Sequence, residues 1–418
     1  MQTKIIDYGM NGEGVSKLDG KVTLVDFALV DEVVDIELIT DNGNYAIAKL
    51  NNVIKPSCRR TNPTCPYFYE CGGCQLQHMN YEEQLLFKTN HVKKTIKKIT
   101  GFEFDVNKTV ACNNQFTYRN KMSFSVNNLN CGLLKQNSKE IVNISSCPLA
   151  DSAINKVLKL YNGYINKYNI TNTKNLVVRA INNQILVGVV TTQHIDLKDF
   201  LFTLSQHFNN VGLYEIIDTR KDSVVLSGKV VHVGGIKTIN ITNFNLNYSV
   251  DLIGFHQTNL EIQNKLYESV LKYIDCQDVV INGFSGQGLL SAIIVQKAKQ
   301  VIGIELNKNS HQSAESLKLN NKIKNLKNIC GDFHKHIKSE IKKANTVILD
   351  PPKKGCGKVV MEEIKGVQKI IYISCNPIAL SKDLRELLND YTIEEITPFD
   401  MFPNTSSVET LVKLKIKE

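Results

Sequence analysis

The chain has 418 residues, too many for one ordinary domain, and its 42% hydrophobic and 22% charged content excludes disordered and fibrous classes. No apolar run is long enough to span a bilayer and Met1–Asp7 lacks a signal-peptide core, so a cytoplasmic protein with no membrane partner is expected. A formal charge of +9 suits a polyanionic partner, and eleven cysteines in a reducing compartment point to metal ligands or reactive thiols rather than disulfides.

The first fifty-odd residues read as short strands between turns. Gly12-Glu13-Gly14-Val15 and Leu18-Asp19-Gly20-Lys21 are turn signals, and Val22–Val25, Val33–Leu38 and Tyr45–Leu50 have strand character. A small closed β-barrel over 1–54 would remove the edges of so many strands. A Cys- and Pro-rich stretch follows, containing Cys65, Cys71, Gly72, Gly73 and Cys74 as C-x5-C-G-G-C. These thiolates can turn onto one ion or cluster, with Cys147 as fourth ligand, and four thiolates suit zinc or iron–sulfur alike. Cys58 reads as a bystander, and Cys112, Cys131, Cys276 and Cys330 as small buried hydrophobes.

From Tyr81 to Ile99 the period is helical, with Val92, Ile96 and Ile99 on one face and Lys93, Lys94, Lys97 and Lys98 as a basic stripe. Such a stripe is either a solvated face or a phosphate contact. Residues 55–250 form a central α+β domain whose strand order the pattern does not give. After Asp251, strands at Asp278–Asn282, Gln300–Glu305, Thr346–Asp350 and Lys369–Ser374 alternate with helices such as Leu289–Lys297. This is the pattern of an α/β, Rossmann-like doubly wound sheet over 251–418, whose ligands bind beyond the carboxyl ends of its strands.

Gly283-Phe284-Ser285-Gly286-Gln287-Gly288 joins the first of these strands to a helix, and Glu305 ends the next strand, where it can accept hydrogen bonds from a ribose. Asp332 either contacts an adenine edge or caps a helix. The loop lacks the full G-x-G-x-x-G pattern, which favours a cofactor without phosphate, such as S-adenosylmethionine. Asp350-Pro351-Pro352 and Ser374-Cys375-Asn376-Pro377 end two further strands at the same crevice, with prolines fixing both exits. A cysteine there is more often core than nucleophile, but its place at a cofactor cleft makes Cys375 a candidate, with Glu409 as a carboxylate base. A thiol, a carboxylate and a methyl donor suit methylation of uracil carbon 5. Thiolate addition at carbon 6 makes carbon 5 nucleophilic, and a base then removes the carbon 5 hydrogen.

Phe255-His256-Gln257-Thr258-Asn259, Asp350-Pro351-Pro352, Ser374-Cys375-Asn376-Pro377 and Met401-Phe402-Pro403-Asn404-Thr405, leading to Val408-Glu409, together resemble the RNA (uracil-5-)-methyltransferases, in particular their 23S ribosomal RNA branch. The resemblance implies that Gln257, Phe284, Glu305 and Asp350 hold S-adenosylmethionine, assisted by Asp332, with Cys375 as nucleophile and Glu409 as proton acceptor. It further implies a 4Fe–4S cluster on Cys65, Cys71, Cys74 and Cys147, and an N-terminal OB-like TRAM domain that binds RNA. The expected partner is structured RNA, most plausibly 23S ribosomal RNA. Transfer RNA and a non-catalytic iron–sulfur RNA-binding protein are the alternatives. Asn282, Lys353 and Ser407 stand where the family commonly has Asp, Arg and His.

Overall fold

A computed structural model describes residues 1–220 and 225–418. The N-terminal strands are β1 (Gln2–Lys4), β2 (Asp7–Tyr8), β3 (Gly14–Leu18), β4 (Lys21–Val25), β5 (Val33–Asp41) and β6 (Tyr45–Lys55). Asp19 and Gly20, both at positive φ, make the two-residue turn joining β3 to β4. The strands pair in the order β1-β5-β6-β4-β3-β2, with no ladder between the two edges. The closed barrel expected from the sequence is therefore not formed. Between the edge strands, the Ile5 N–H donates to the Glu32 carbonyl and the Ile6 N–H to the Val15 carbonyl, so the chain leaves one neighbour for the other. Edges of three and two residues are short enough to need no closure.

The helix α1 (Tyr81–Thr100) starts where the Asn80 side chain accepts the Glu83 N–H. It ends at Gly101, whose left-handed φ of 81° lets its N–H return to the Lys97 carbonyl. Its buried stripe runs through Gln84, Lys88, Val92 and Ile96. Three lysines of its basic stripe have acidic partners: Lys93 and Lys97 pair with Glu103, and Lys94 with Asp7. That favours the solvated-face reading.

Next come β7 (Lys121–Asn127), β8 (Asn130–Leu134), β9 (Ile141–Val142), α2 (Ser152–Lys167), β10 (Thr173–Ile181), β11 (Gln184–Thr191), α3 (Lys198–Ser205), β12 (Asn210–Ile217) and β13 (Lys229–Gly235). They form a mixed sheet in the order β13-β12-β11-β10-β7-β8-β9. Helices α2 and α3 cover one face, burying Ile154, Leu158, Tyr161 and Phe200. The hairpin β14 (Ile239–Asn243) and β15 (Leu246–Val250) packs against the other, in a core shared with the C-terminal part through Ile262, Leu266 and Ile293.

The C-terminal elements are α4 (Leu260–Lys272), β16 (Val279–Gly283), α5 (Leu289–Ile294), β17 (Gln300–Glu305), α6 (Lys308–Asn320), β18 (Leu326–Cys330), α7 (Phe333–Glu340), β19 (Thr346–Leu349), α8 (Lys358–Glu363), β20 (Lys369–Ser374), α9 (Pro377–Leu387), β21 (Tyr391–Phe399) and β22 (Glu409–Ile416). The sheet order is β18-β17-β16-β19-β20-β22-β21; the first five strands run parallel, and β22 is antiparallel to both neighbours. This is the doubly wound architecture expected from the sequence, with strand order reversing beside β16. Helix α1 packs on this sheet's β20 side, placing Val92 and Ile96 in its core. Among the described residues no helix is long and apolar enough to cross a membrane.

Candidate active site

Strand register brings the site together. Gly283 pairs with Ile304 and Leu349, Leu349 with Tyr372, and Ser374 with Thr410. Phe284, Glu305, Asp350 and Cys375 therefore lie at the carboxyl ends of four adjacent strands. Cys375 and Glu409 flank the last rung of the β20–β22 ladder from the same side. Asn376 caps α9 by accepting the Ile378 N–H, and Pro377 opens the helix, so the backbone just after the thiol is fixed.

The Gly-rich turn is shaped for close approach. Phe284 sits at φ 59°, unusual for a non-glycine residue, and its ring lies 5.2 Å from that of Phe333. Gly288, at φ 80°, lies where a Cβ would come within 2.6 Å of the Ala314 Cβ. Glu305 accepts the Gly286 N–H at 2.8 Å and the Asn307 N–H at 2.7 Å, which ties the turn to β17. Nothing lies within 4 Å of where a Gly286 Cβ would stand.

Gln257 is buried and its carbonyl accepts from the Asn120 side chain at 3.0 Å, leaving its side-chain amide without a hydrogen-bond partner among the described residues. Asp332 occupies the N-cap position of α7 without making the capping hydrogen bond, so its exposed carboxylate is uncommitted. Asn282 donates to Ser291 Oγ at 2.8 Å, and its buried Oδ1 has no partner among the described residues. The turn, the uncommitted Gln257 amide and Asp332 carboxylate and the left-handed Phe284 fit a nucleoside-type donor.

Charge in the crevice is strongly coupled. Burial pushes the Cys375 thiol up to about 11; the neighbouring Glu409 and Asp350 carboxylates add to this, and the Lys353 ammonium opposes it. Asp350 keeps part of its surface open to the crevice, yet its carboxyl is enclosed enough that burial raises it to about 7. Glu409, only 4% exposed, is held well above the usual carboxylate range by burial and then by Asp350. Asp350 and Glu409 therefore both act on Cys375, Asp350 acts on Glu409, and Lys353 acts on the sulfur.

The segment leading to Glu409 is tied down by residues the sequence reading did not single out. Lys88 and Asp400 form a fully buried ion pair; Tyr81 donates to Asp400 at 2.8 Å, and Lys88 donates to the Phe402 carbonyl at 3.0 Å. The available signal was on α1, where Gln84 and Lys88 continue the four-residue spacing of buried Val92 and Ile96.

Cys65, Cys71, Cys74 and Cys147 line one cavity of about 190 Å³. Arg119 and Lys121 share its wall. The Cys71 sulfur accepts the Gly73 N–H, and the Cys74 sulfur accepts from the Gln77 amide, both at 3.4 Å. Among the described residues no three His, Cys, Asp or Glu side chains converge to hold one metal ion, so the single-zinc arrangement is not formed. Of the scattered cysteines, Cys112 and Cys131 are buried as expected, whereas Cys276 and Cys330 are exposed. Cys330 ends the edge strand β18 and Cys276 precedes β16, so neither reaches the core.

Residues 80–417 match the model of the family described as tRNA (Uracil-5-)-methyltransferase. An uncharacterized RNA methyltransferase of Clostridium tetani is 32% identical, covering 98% of this chain and 94% of that protein. Another, of Clostridium acetobutylicum, is 31% identical, covering 98% of this chain and 96% of that protein. Among solved structures, the Pyrococcus abyssi tRNA (uracil-54, C5)-methyltransferase in complex with S-adenosyl-L-homocysteine superposes with a TM-score of 0.80 at 24% identity, over 99% of both chains. The chain belongs to the tRNA (uracil-5-)-methyltransferase family and is an S-adenosylmethionine-dependent RNA methyltransferase.

Proposed function

We propose that this enzyme methylates carbon 5 of a uridine in 23S ribosomal RNA through a covalent Cys375 adduct. The observation carrying this reading is the placement of Cys375 and Glu409 just beyond the last rung of the β20–β22 ladder, in electrostatic contact with Asp350 beside the Gly-rich turn. Gln257, Phe284, Glu305 and Asp350 hold the donor, with Asp332 at its adenine edge. The bound donor supplies an electrophilic methyl group. The Cys375 thiolate adds to carbon 6 of uracil, which turns carbon 5 into the nucleophile that takes the methyl. Glu409 then accepts the carbon 5 proton, and elimination returns the thiolate.

Cys65, Cys71, Cys74 and Cys147 are proposed to hold a 4Fe–4S cluster. A cavity rather than a single-ion cage, N–H donors to sulfur and two cationic side chains on the wall support it. The cluster would supply structure, since methyl transfer moves no electron to or from it. Residues 1–54 are proposed as a TRAM-like RNA-binding module, 55–250 as a central domain and 251–418 as the catalytic domain, in a cytoplasmic enzyme.

Transfer RNA is a second reading, favoured by the name of the Pyrococcus abyssi enzyme. Unmodified ribosomal and transfer RNA incubated with labelled donor separate the two, with label on 23S ribosomal RNA expected. Label confined to transfer RNA overturns the substrate assignment. Methylation by Cys375→Ala at the wild-type rate overturns the mechanism. A protein with no affinity for the donor would be the non-catalytic binding module instead.

A further inference from the structure

The cysteine loop and the segment carrying Glu409 are 330 residues apart in the chain yet bonded to each other directly. The N–H groups of Gln75 and Leu76, the two residues after Cys74, both donate to the Asn404 carbonyl, at 3.2 and 3.1 Å. The Gln75 side chain accepts the Ser406 N–H at 3.3 Å and donates to the Gly72 carbonyl at 2.9 Å, so it bridges the C-G-G-C turn to the segment. Asn404 is 3% exposed and stands at φ 69°, a left-handed conformation that needs support.

That support comes from the opposite side. Gln84 on α1 accepts the Asn404 N–H at 2.9 Å and donates to the Asn404 Oδ1 at 3.2 Å, while the Asn404 amide donates to the Gln115 carbonyl at 2.8 Å. Tyr118 donates to the Pro403 carbonyl at 3.1 Å. Leu76 is fully buried, and a Cβ on Gly12 would come within 2.4 Å of its side chain, so the N-terminal sheet closes over the same point. Five residues beyond Asn404 lies Glu409.

We propose that the cysteine loop is a brace for the base, and that Gln75, Gln84 and Asn404 are positioning residues for removal of the carbon 5 proton. This rests on the reading of Glu409 as that base. The brace acts on the second half of the reaction. Cys375 is held by β20 and the cap of α9, to which Gln75, Gln84 and Asn404 make no hydrogen bond among the described residues, so addition and methyl transfer do not depend on the brace. Loss of the brace lets Glu409 drift from the carbon 5 hydrogen after the methyl has arrived, and the methylated adduct then persists.

The test uses the full chain in its cluster-loaded form and RNA tritiated at uracil carbon 5. Methyl incorporation, tritium release and SDS-stable RNA complex are followed in single turnover. Asn404→Gly keeps the backbone conformation while deleting the side-chain bonds; Gln84→Met and Gln75→Ala cut the brace from either side. All three are expected to keep methyl incorporation within about threefold of wild type while tritium release slows by roughly 10- to 100-fold, so that the complex accumulates. A merely structural role would slow both steps together with no added complex. That result, or no change in either step, overturns the brace. Glu409→Gln serves as the reference. If it accumulates no complex, the base assignment itself falls; if it does and the three variants do not, only the brace falls.

Discussion

Replacing Lys88 with Met should be among the most damaging single changes outside the crevice. Lys88 and Asp400 are both 0% exposed and pair directly. Burial, the larger effect, pulls the Lys88 ammonium below its ordinary range, and the carboxylate beside it offsets part of that. In Lys88→Met, Asp400 keeps, among the described residues, only the Tyr81 hydroxyl as a side-chain partner. A buried charge left without its counter-ion destabilises by about 3–5 kcal/mol. For a cooperative unit of 150–250 residues, that loss lowers the melting temperature by roughly 6–20 °C. Lys88→Met/Asp400→Leu, which removes both charges, should recover most of the loss, since apolar replacement of a whole buried pair is often neutral. Calorimetry of the wild type, both single variants and the double variant gives the coupling directly. A single-variant loss below about 1 kcal/mol, or two single losses that simply add, would refute the reasoning.

The remaining expectations concern charge and backbone in the crevice. Asp350 is raised from 3.8 to about 7, so its contribution to stability is intact below pH ~4 and declines as pH rises toward 7. Asp350→Asn should therefore gain on the wild type between pH 4 and 8 in urea unfolding, and a difference independent of pH would count against the burial of that carboxyl. Lys353→Met removes a cation that lowers the Cys375 thiol, so alkylation of Cys375 by iodoacetamide should require higher pH than in the wild type. Glu409→Gln removes an anion from the same thiol and should shift that profile the opposite way. Gly288→Ala should weaken donor binding in calorimetric titration, because φ 80° and the Ala314 Cβ both oppose a side chain there.

The parts of the fold legible in the sequence were those fixed by local pattern. Gln300–Glu305 and Lys369–Ser374 are strands with the bounds read from their apolar runs, and the helical period read over Tyr81–Ile99 is α1, Tyr81–Thr100. The central sheet was not legible because its inner strands are buried on both faces. Leu176–Ile181 is apolar or fully covered at every position, which erases the alternation that marks a strand. In the candidate site, the strand-end residues followed from the rule that ligands bind beyond carboxyl ends. The supports of Glu409 did not, since Lys88–Asp400 and Gln84–Asn404 join residues 312 and 320 apart. Such pairs have no local signature beyond a polar side chain on a buried stripe. The open N-terminal sheet differs from the expected barrel for a related reason: strand content is local, whereas closure depends on which edges meet.

The same enclosure that makes Cys375 and Glu409 poor acids in the resting protein also orders their use. The Glu409 and Asp350 carboxylates raise the Cys375 thiol, so thiolate and carboxylate anion oppose one another, and Lys353 favours charge at the sulfur. In the proposed mechanism, sulfur bonded to carbon 6 of uracil is a neutral thioether and no longer opposes a charge on Glu409. The carboxylate therefore becomes easier to form at the stage when a proton acceptor is required, and less so before. A base ionised from the outset would hold the thiol protonated and delay the first bond. Under that proposal, deep burial of Glu409, costly for an isolated carboxylate, would separate addition from elimination in time.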